Sequence, residues 1–307
     1  MKPSGNIHRR GSLALYRGLV AMLAGVLACS AAARDRAIDE LFKTGSSPRV
    51  DVSNVNGEID VAVWSRDEVE LQGTLDERAE LVLEHDDDKL MIRVVKKSNE
   101  RRIGVTSLRL RVPTVSDLSL HSVSGNVRTA GIEGSQRIDV VSGDIDVTEF
   151  GADLDLKSVS GNIRANGTGE ITIVTALAVS GDIELQGLSG ELELTTISGT
   201  SSIDGGEFTR VDLDTTSGDI SFSGDIDQRG RLDAETISGD VEIVLVEDTH
   251  LDVSVETFSG DIDSCFKEQP QKKSKYGPGK VLSFKRDDAS KDIRVETMSG
   301  DVGLCGS

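Results

Sequence analysis

The chain has 307 residues, a formal charge of −19, 3% aromatic residues, four histidines and 32 glycines. So acidic a chain lacks the basic footprint that nucleic-acid binding requires, and so few rings cannot build base-stacking platforms. The glycine excess follows no collagen period and points to a turn-rich β protein.

At the N-terminus, Lys2, Arg9, Arg10 and Arg17 precede an uncharged stretch at 18–33, apolar over 19–28. This is the pattern of a secretory signal peptide at 1–33. The run is shorter than the ~20 residues of a membrane-spanning helix. No later run approaches that length, so no transmembrane segment is expected in the mature chain. Val26-Leu27-Ala28-Cys29 also resembles a lipobox, and cleavage before Cys29 would leave a lipid anchor. Either route predicts export to the periplasm or cell envelope. Removal of 1–33 leaves 30 basic and 53 acidic residues, a net of −23.

Residues 34–47 read as a linker. Within 48–117, Val50-Asp51-Val52 and Asn56-Gly57-Glu58-Ile59-Asp60-Val61 look like a first, degenerate copy of the unit that repeats from residue 118 onward. Less regular strand-like runs come next, so 48–117 is expected to be an irregular N-terminal β cap merged with the first coils.

From 118 to 307 the chain repeats itself. Ser-Gly recurs at Ser124, Ser142, Ser160, Ser180, Ser198, Ser217, Ser238, Ser259 and Ser299, at spacings of 18–21 until a final gap of 40. Apolar residues return four and six before the serine, one before it, and three after it. Alternating apolar positions make half-buried strands, here a Leu-x-Leu-x-x-Val segment and an Asp-Ile-x-Val segment. Glycine permits the tight corner between them, and Asp or Asn caps it. One such unit cannot bury its apolar face alone, but stacked units can. The expected fold is all-β: a single-stranded β-solenoid (β-helix) of 18–21-residue coils. An antiparallel sandwich would not explain the identical columns.

Three columns bear on chemistry. Asp144, Asp182, Asp219, Asp240, Asp261 and Asp301 share one edge, and stacked carboxylates can hold calcium. The same column accepts Asn126, Asn162 and Thr200, which suits turn capping better than a metal ladder. Thr196, Thr215, Thr236, Thr257 and Thr297 form a second column, read as outward strand positions with cross-strand hydroxyl pairs. Cys265 and Cys305 each lie six residues after a corner serine, so in-register coils set them ~4.8 Å apart, within disulfide range. A Cys265–Cys305 bridge is expected to staple the final coil, which would have a partner on one side only. His85, His121 and His250 have no ligand spacing to one another or to cysteine, so neither a cofactor nor a metal is expected.

The 40-residue gap contains 266–286, with seven basic residues and one acidic. Tyr276-Gly277-Pro278-Gly279 reads as the tip of a basic hairpin insertion. Lys267, Lys272, Lys273, Lys275, Tyr276, Lys280, Lys285 and Arg286 are its candidate docking residues, for an anionic surface, a polysaccharide or an envelope protein.

The leading Val50-Asp51-Val52-x-Asn54-Val55-x-Gly57-x-Ile59, the Val112-Pro113 before the repeats and the tandem Ser-Gly-Asp/Asn-Ile units resemble a bacterial putative adhesin family. That family is a domain of unknown function related to autotransporter adhesin heads. The resemblance covers 48–307 and implies a single-stranded β-helix, exported or membrane-tethered, with no catalytic residues. The expected function is therefore a non-catalytic, adhesin-like binding or scaffold module at the cell envelope. The alternatives are a polysaccharide lyase or hydrolase on a β-helix and an envelope-stress regulatory partner.

Overall fold

A glycine and a carboxylate or amide at fixed places in each repeat let the backbone of one coil lie directly on the next. The computed structural model describes residues 35–98, 100, 102–247, 249–274 and 277–306. Among them there is no helix, hence none long and apolar enough to cross a membrane. The N-terminal strands are β1 (Arg36–Lys43), β2 (Arg49–Trp64), β3 (Glu68–Leu75), β4 (Ala79–Asp86), β5 (Lys89–Lys96) and β6 (Thr106–Pro113). The repeats continue as β7 (Asp117–Ser124), β8 (Val127–Ala130), β9 (Gln136–Ser142), β10 (Ile145–Phe150), β11 (Leu154–Ser160), β12 (Ile163–Gly167), β13 (Ile171–Ser180), β14 (Ile183–Gln186) and β15 (Ser189–Ser198). Then come β16 (Ser201–Ser217), β17 (Ile220–Ser238), β18 (Val241–Leu245), β19 (Leu251–Ser259), β20 (Ile262–Ser264), β21 (Gln271–Lys272), β22 (Lys280–Lys285), β23 (Lys291–Ser299) and β24 (Val302–Gly306).

These strands build two parallel walls. Wall A holds the segments before each Ser-Gly corner, in the order β5, first half of β2, β7, β9, β11, β13, β15, second halves of β16 and β17, β23, β19. Wall B holds the segments after it: β6, second half of β2, β8, β10, β12, β14, first halves of β16 and β17, β18, β24, β20. Inward columns such as Leu156, Ala176, Leu194, Leu213 and Ala234 in wall A, and Val127, Ile145, Ile163 and Ile183 in wall B, are buried in one core.

The corner explains the register. Gly161 has φ +147°, and a Cβ there would lie 2.0 Å from the carbonyl oxygen of Gly143. Only glycine allows backbone to approach backbone so closely. The next residue ties the coils together: Asn126 Oδ1 accepts the Asp144 N–H at 2.9 Å, Asp144 Oδ1 that of Asn162 at 2.9 Å, and Asn162 Oδ1 that of Asp182 at 3.0 Å. The side chain caps the neighbouring coil's corner rather than its own.

Chain order and stacking order part company at both ends. At the N-terminal end, β5 and β6 stack outside β2, so the first coil lies inside the stack. At the other end, the last coil, β23 and β24, lies between β17–β18 and β19–β20. The expectation that the final coil has one partner is therefore corrected: it has two, and the terminal position belongs to β19–β20. Lys291, 3% exposed at the start of β23, fixes the inserted coil through 3.0 Å contacts with Asp225 and Glu247. Burial opposes its charge, but these two carboxylates outweigh burial and raise its pKa. Cys265 and Cys305 form a disulfide with Cα atoms 4.9 Å apart, joining the end coil to the inserted one.

Antiparallel strands close the walls: β4 on β5, β3 on β6 with β1 on β3, and β22 on β19 with β21 on β22. The linker expected at 34–47 is corrected by β1, which pairs along its whole length and buries Ile38. The 48–117 segment holds a regular parallel coil, β2, within its antiparallel closure. The Thr column is also corrected. Thr196, Thr215, Thr236, Thr257 and Thr297 face inward and are buried. They stand an even number of residues from the buried leucines, so the pleat puts them on the core side, where a β-branched shape packs well.

The register yields a direct expectation. Leu213 is 1% exposed between Leu194 and Ala234. An unpaired carboxylate there costs several kcal/mol, so Leu213→Asp abolishes the cooperative thermal transition. An unchanged melting curve would mean that this column does not face the core.

Candidate functional site

The outer face of wall A carries the least ordinary surface of the molecule. Residues one before each corner serine stand three from the buried leucine column, and an odd offset places them on the opposite face of a strand. Val123, Val141, Val159 and Ile197, then Ile237, Met298 and Phe258, accordingly form an exposed apolar ridge along the stack, from 48% exposed at Val159 to 61% at Met298. Only Thr216 interrupts its apolar character. Pattern reading misses this ridge, because Leu-x-Leu-x-x-Val looks like one buried set. The x-x spacing was the available signal.

Beside the ridge runs the column three before the serine. In its first half His121 pairs with Asp139 at 3.2 Å, and Lys157 with Asp155 at 2.9 Å in the next column out. In its second half Asp214, Glu235, Glu296 and Glu256 follow one another in register. Lys273 pairs with Glu256. Among the described residues, no Lys, Arg or His forms an ion pair with Asp214, Glu235 or Glu296. The adjacent acids differ: Asp212 is held by Arg210 and Arg231, and Asp233 by Arg231 and Arg294. The outer face of wall B differs again, since Asp60, Arg128, Asp146, Arg164 and Glu184 alternate in sign at 3.5–3.6 Å.

The unpaired carboxylates feel this crowding. Partial burial raises the pKa of Asp214, helped by Asp212, Glu193 and Asp233. Burial likewise raises that of Glu235, with Asp214, Glu296 and Asp233 adding to it and Arg294 opposing. Ridge and carboxylates together wall a groove of about 520 Å³. A second groove of about 400 Å³ lies further along the face, between His121, Asp139 and Lys157 on one side and Val123, Val141 and Val159 on the other.

The basic insertion, expected as a docking loop, has a structural role. It is a hairpin that closes wall A, with Phe266, Leu282 and Phe284 buried beside the end coil, β19–β20. Lys280 pairs with Asp261, Lys285 with Asp252, and Arg286 with Glu268 at 3.0 Å. The Arg286 guanidinium also lies 4.6 Å from the Phe266 ring centre and 5.3 Å from that of Phe284. A positive segment beside a strongly negative end coil satisfies its charges there. Lys267 and Lys272 are exposed. Lys275, Tyr276 and Cys29 lie outside the described residues.

The Asp column is occupied with backbone. Asp182, Asp219, Asp240 and Asp301 accept the N–H of Thr200, Asp240, Asp301 and Asp261 at 2.7–2.9 Å. Asp261, with no further coil to cap, meets Lys280 instead. Among the described residues no three His, Cys, Asp or Glu side chains gather where they could hold a metal ion.

Three comparisons bear on this architecture. The family model Toastrack DUF4097 matches residues 43–191 and again 186–304. Both walls run through the overlap without a break, β13 pairing with β15 and β14 with β16. A solved structure called a putative lipid binding protein, from Parabacteroides distasonis, is 13% identical over 87% of this chain and 96% of its own, with a TM-score of 0.50. It shows a shared fold. A putative adhesin from Bacteroides fragilis is 13% identical over 89% and 99%, with a TM-score of 0.43. No curated protein matches the chain.

The crowded carboxylates predict a pH-dependent gain. A folded pKa above the ordinary 4.5 means that Glu235 costs stability once pH rises through 4.5 toward the folded value. Glu235→Gln should therefore melt higher than wild type at pH 7, with the difference vanishing at pH 3. Calorimetry at the two pH values checks this; a lower melting temperature at pH 7 would contradict it.

Proposed function

The chain belongs to the Toastrack DUF4097 family, and from that premise we propose that it is a non-catalytic, adhesin-like binding module of the cell envelope, engaging its partner through the outer face of wall A. The observation that carries this reading is the apolar ridge. Soluble proteins rarely leave a contiguous row of large apolar side chains on a flat, rigid surface unless something covers it. The neighbours called putative adhesin and putative lipid binding protein support a binding role. The Cys265–Cys305 bridge suits an oxidising compartment, and so supports export through the signal-peptide pattern at 1–33.

A polysaccharide-cleaving enzyme would place two carboxyl groups across a bound sugar. Here Asp214, Glu235 and Glu296 stand in one file along one wall. Incubation with acidic and neutral polysaccharides should release no new chain ends; their release would favour the enzyme.

The binding reading is tested on isolated cell envelopes of the producing organism. Wild-type protein should be retained on them. Val141→Ser/Val159→Ser/Ile197→Ser on the ridge should reduce retention more than ten-fold, while Ser202→Ala/Ser221→Ala/Glu242→Ala on wall B leaves it unchanged. Equal retention of all three proteins would contradict the assignment of the face.

A further inference from the structure

Resting on the reading of wall A as a binding face, we propose that the groove between Asp214–Glu235–Glu296 and Ile237–Met298–Phe258 takes an amphipathic helix of a partner protein, with Lys or Arg along one flank and apolar residues along the other. The occupant follows from three features of the groove.

First, the groove lies on a face, not an edge. The strands beneath it, β16, β17, β23 and β19, already pair with neighbours on both sides, β19 with β23 and β22. No free ladder is offered to an added strand. A polypeptide lying here must satisfy its own backbone, which a helix does and an extended segment does not.

Second, the chemistry is split lengthwise. One side of the groove is apolar, with Ile237, Met298 and Phe258 each more than half exposed. The other carries three carboxylates in succession, without an ion pair from any described residue. The carboxylates one column further out beside this file, Asp212 and Asp233, are each matched by arginine. At the end of the same file Glu256 is met by Lys273 of the chain's own hairpin, so a cationic segment of polypeptide already satisfies one member. Partial burial, and after it the neighbouring carboxylates, raise the pKa of Asp214 and Glu235, and a bound cation would offset the repulsion. This excludes an anionic membrane as occupant: the same carboxylates would repel it.

Third, the repeat lengths match. Coils advance by ~4.8 Å and a helix by ~5.4 Å per turn. Over the two steps from Asp214 to Glu296 the drift is ~1.2 Å, well within the reach of a flexible lysine stem. A helix of about three turns thus sets one cation near each carboxylate while its apolar stripe covers the ridge.

The probe is a 14-residue helical peptide of leucine and lysine in amphipathic order, with its glutamate counterpart, titrated by fluorescence anisotropy. Wild type should bind the lysine peptide, at least ten-fold more weakly in 0.5 M salt, and should not bind the glutamate peptide. Asp214→Asn/Glu235→Gln/Glu296→Gln and Ile237→Ser/Met298→Ser should each weaken binding at least ten-fold while keeping the wild-type circular-dichroism spectrum. Since the altered side chains point outward, Glu235→Gln alone, with at least a two-fold loss, serves if the triple variant misfolds. Failure of wild type to bind the lysine peptide overturns the proposal. So does equal binding by wild type and the carboxylate variant: if the ridge variant still loses affinity, the cationic occupant is wrong and the face stands; if neither variant loses it, the reading of the face falls too.

Discussion

Everything in this molecule depends on how closely one corner can lie on the next. With no Cβ, glycine brings the backbones of consecutive coils into contact at the turn, and the Asp or Asn beside it reaches across to the neighbouring N–H. The two together set a common register, which puts equivalent residues into straight columns. Once columns exist, a single residue type repeated in sequence becomes a continuous surface in space. The buried leucines, the inward threonines and the outward valines are three products of that one constraint. Thr200 shows that the corner tolerates a gap: Asp182 caps it, while Gly199 and Gly218 keep the backbones close.

The ends of such a stack are its weak points, because an outermost coil lacks a neighbour on one side and exposes an open strand edge. This chain protects both ends by similar means. Its first coil, β2, and its last, β23–β24, lie inside the stack, and the outermost parallel coils come from the interior of the sequence. Antiparallel strands then cover both edges of wall A and the N-terminal edge of wall B. At the C-terminal end the disulfide, the Lys291 ion pairs and the basic hairpin all act on the two exchanged coils. Three of the hairpin's lysines, Lys273, Lys280 and Lys285, pair with the end coil's own acids.

Much of this was legible in the sequence, within a definable limit. The period, the two strand segments and the pairing of Cys265 with Cys305 depend on local pattern and in-register stacking, which repeated residues record directly. The β1 strand was missed because an edge strand with one buried residue, Ile38, carries almost no alternation. The Thr column was assigned to the wrong face by propensity, although counting residues from Leu194 to Thr196 gives the right one. The same count, from Leu194 to Ile197, exposes the ridge. The exchange of the last two coils left no local mark: Ser259 and Ser299 stack on each other in either order, and long-range ion pairs distinguish them, Lys291 with Asp225 and Glu247 and Arg294 with Asp233.

The stacking order at that end tests the account most directly, since register, end protection and the carboxylate file all rest on it. Asp233 on β17 pairs in register with Arg294 on β23, and β19, which carries Ser254, lies one strand further away. Asp233→Cys/Arg294→Cys should form a second disulfide on mild oxidation of the folded protein, because in-register neighbours lie ~4.8 Å apart. Asp233→Cys/Ser254→Cys should remain reduced, its partners ~10 Å apart. Mass spectrometry of the two oxidised proteins reads the result. Cross-linking of the second pair and not the first would mean that the coils stack in sequence order, and would contradict the inserted last coil.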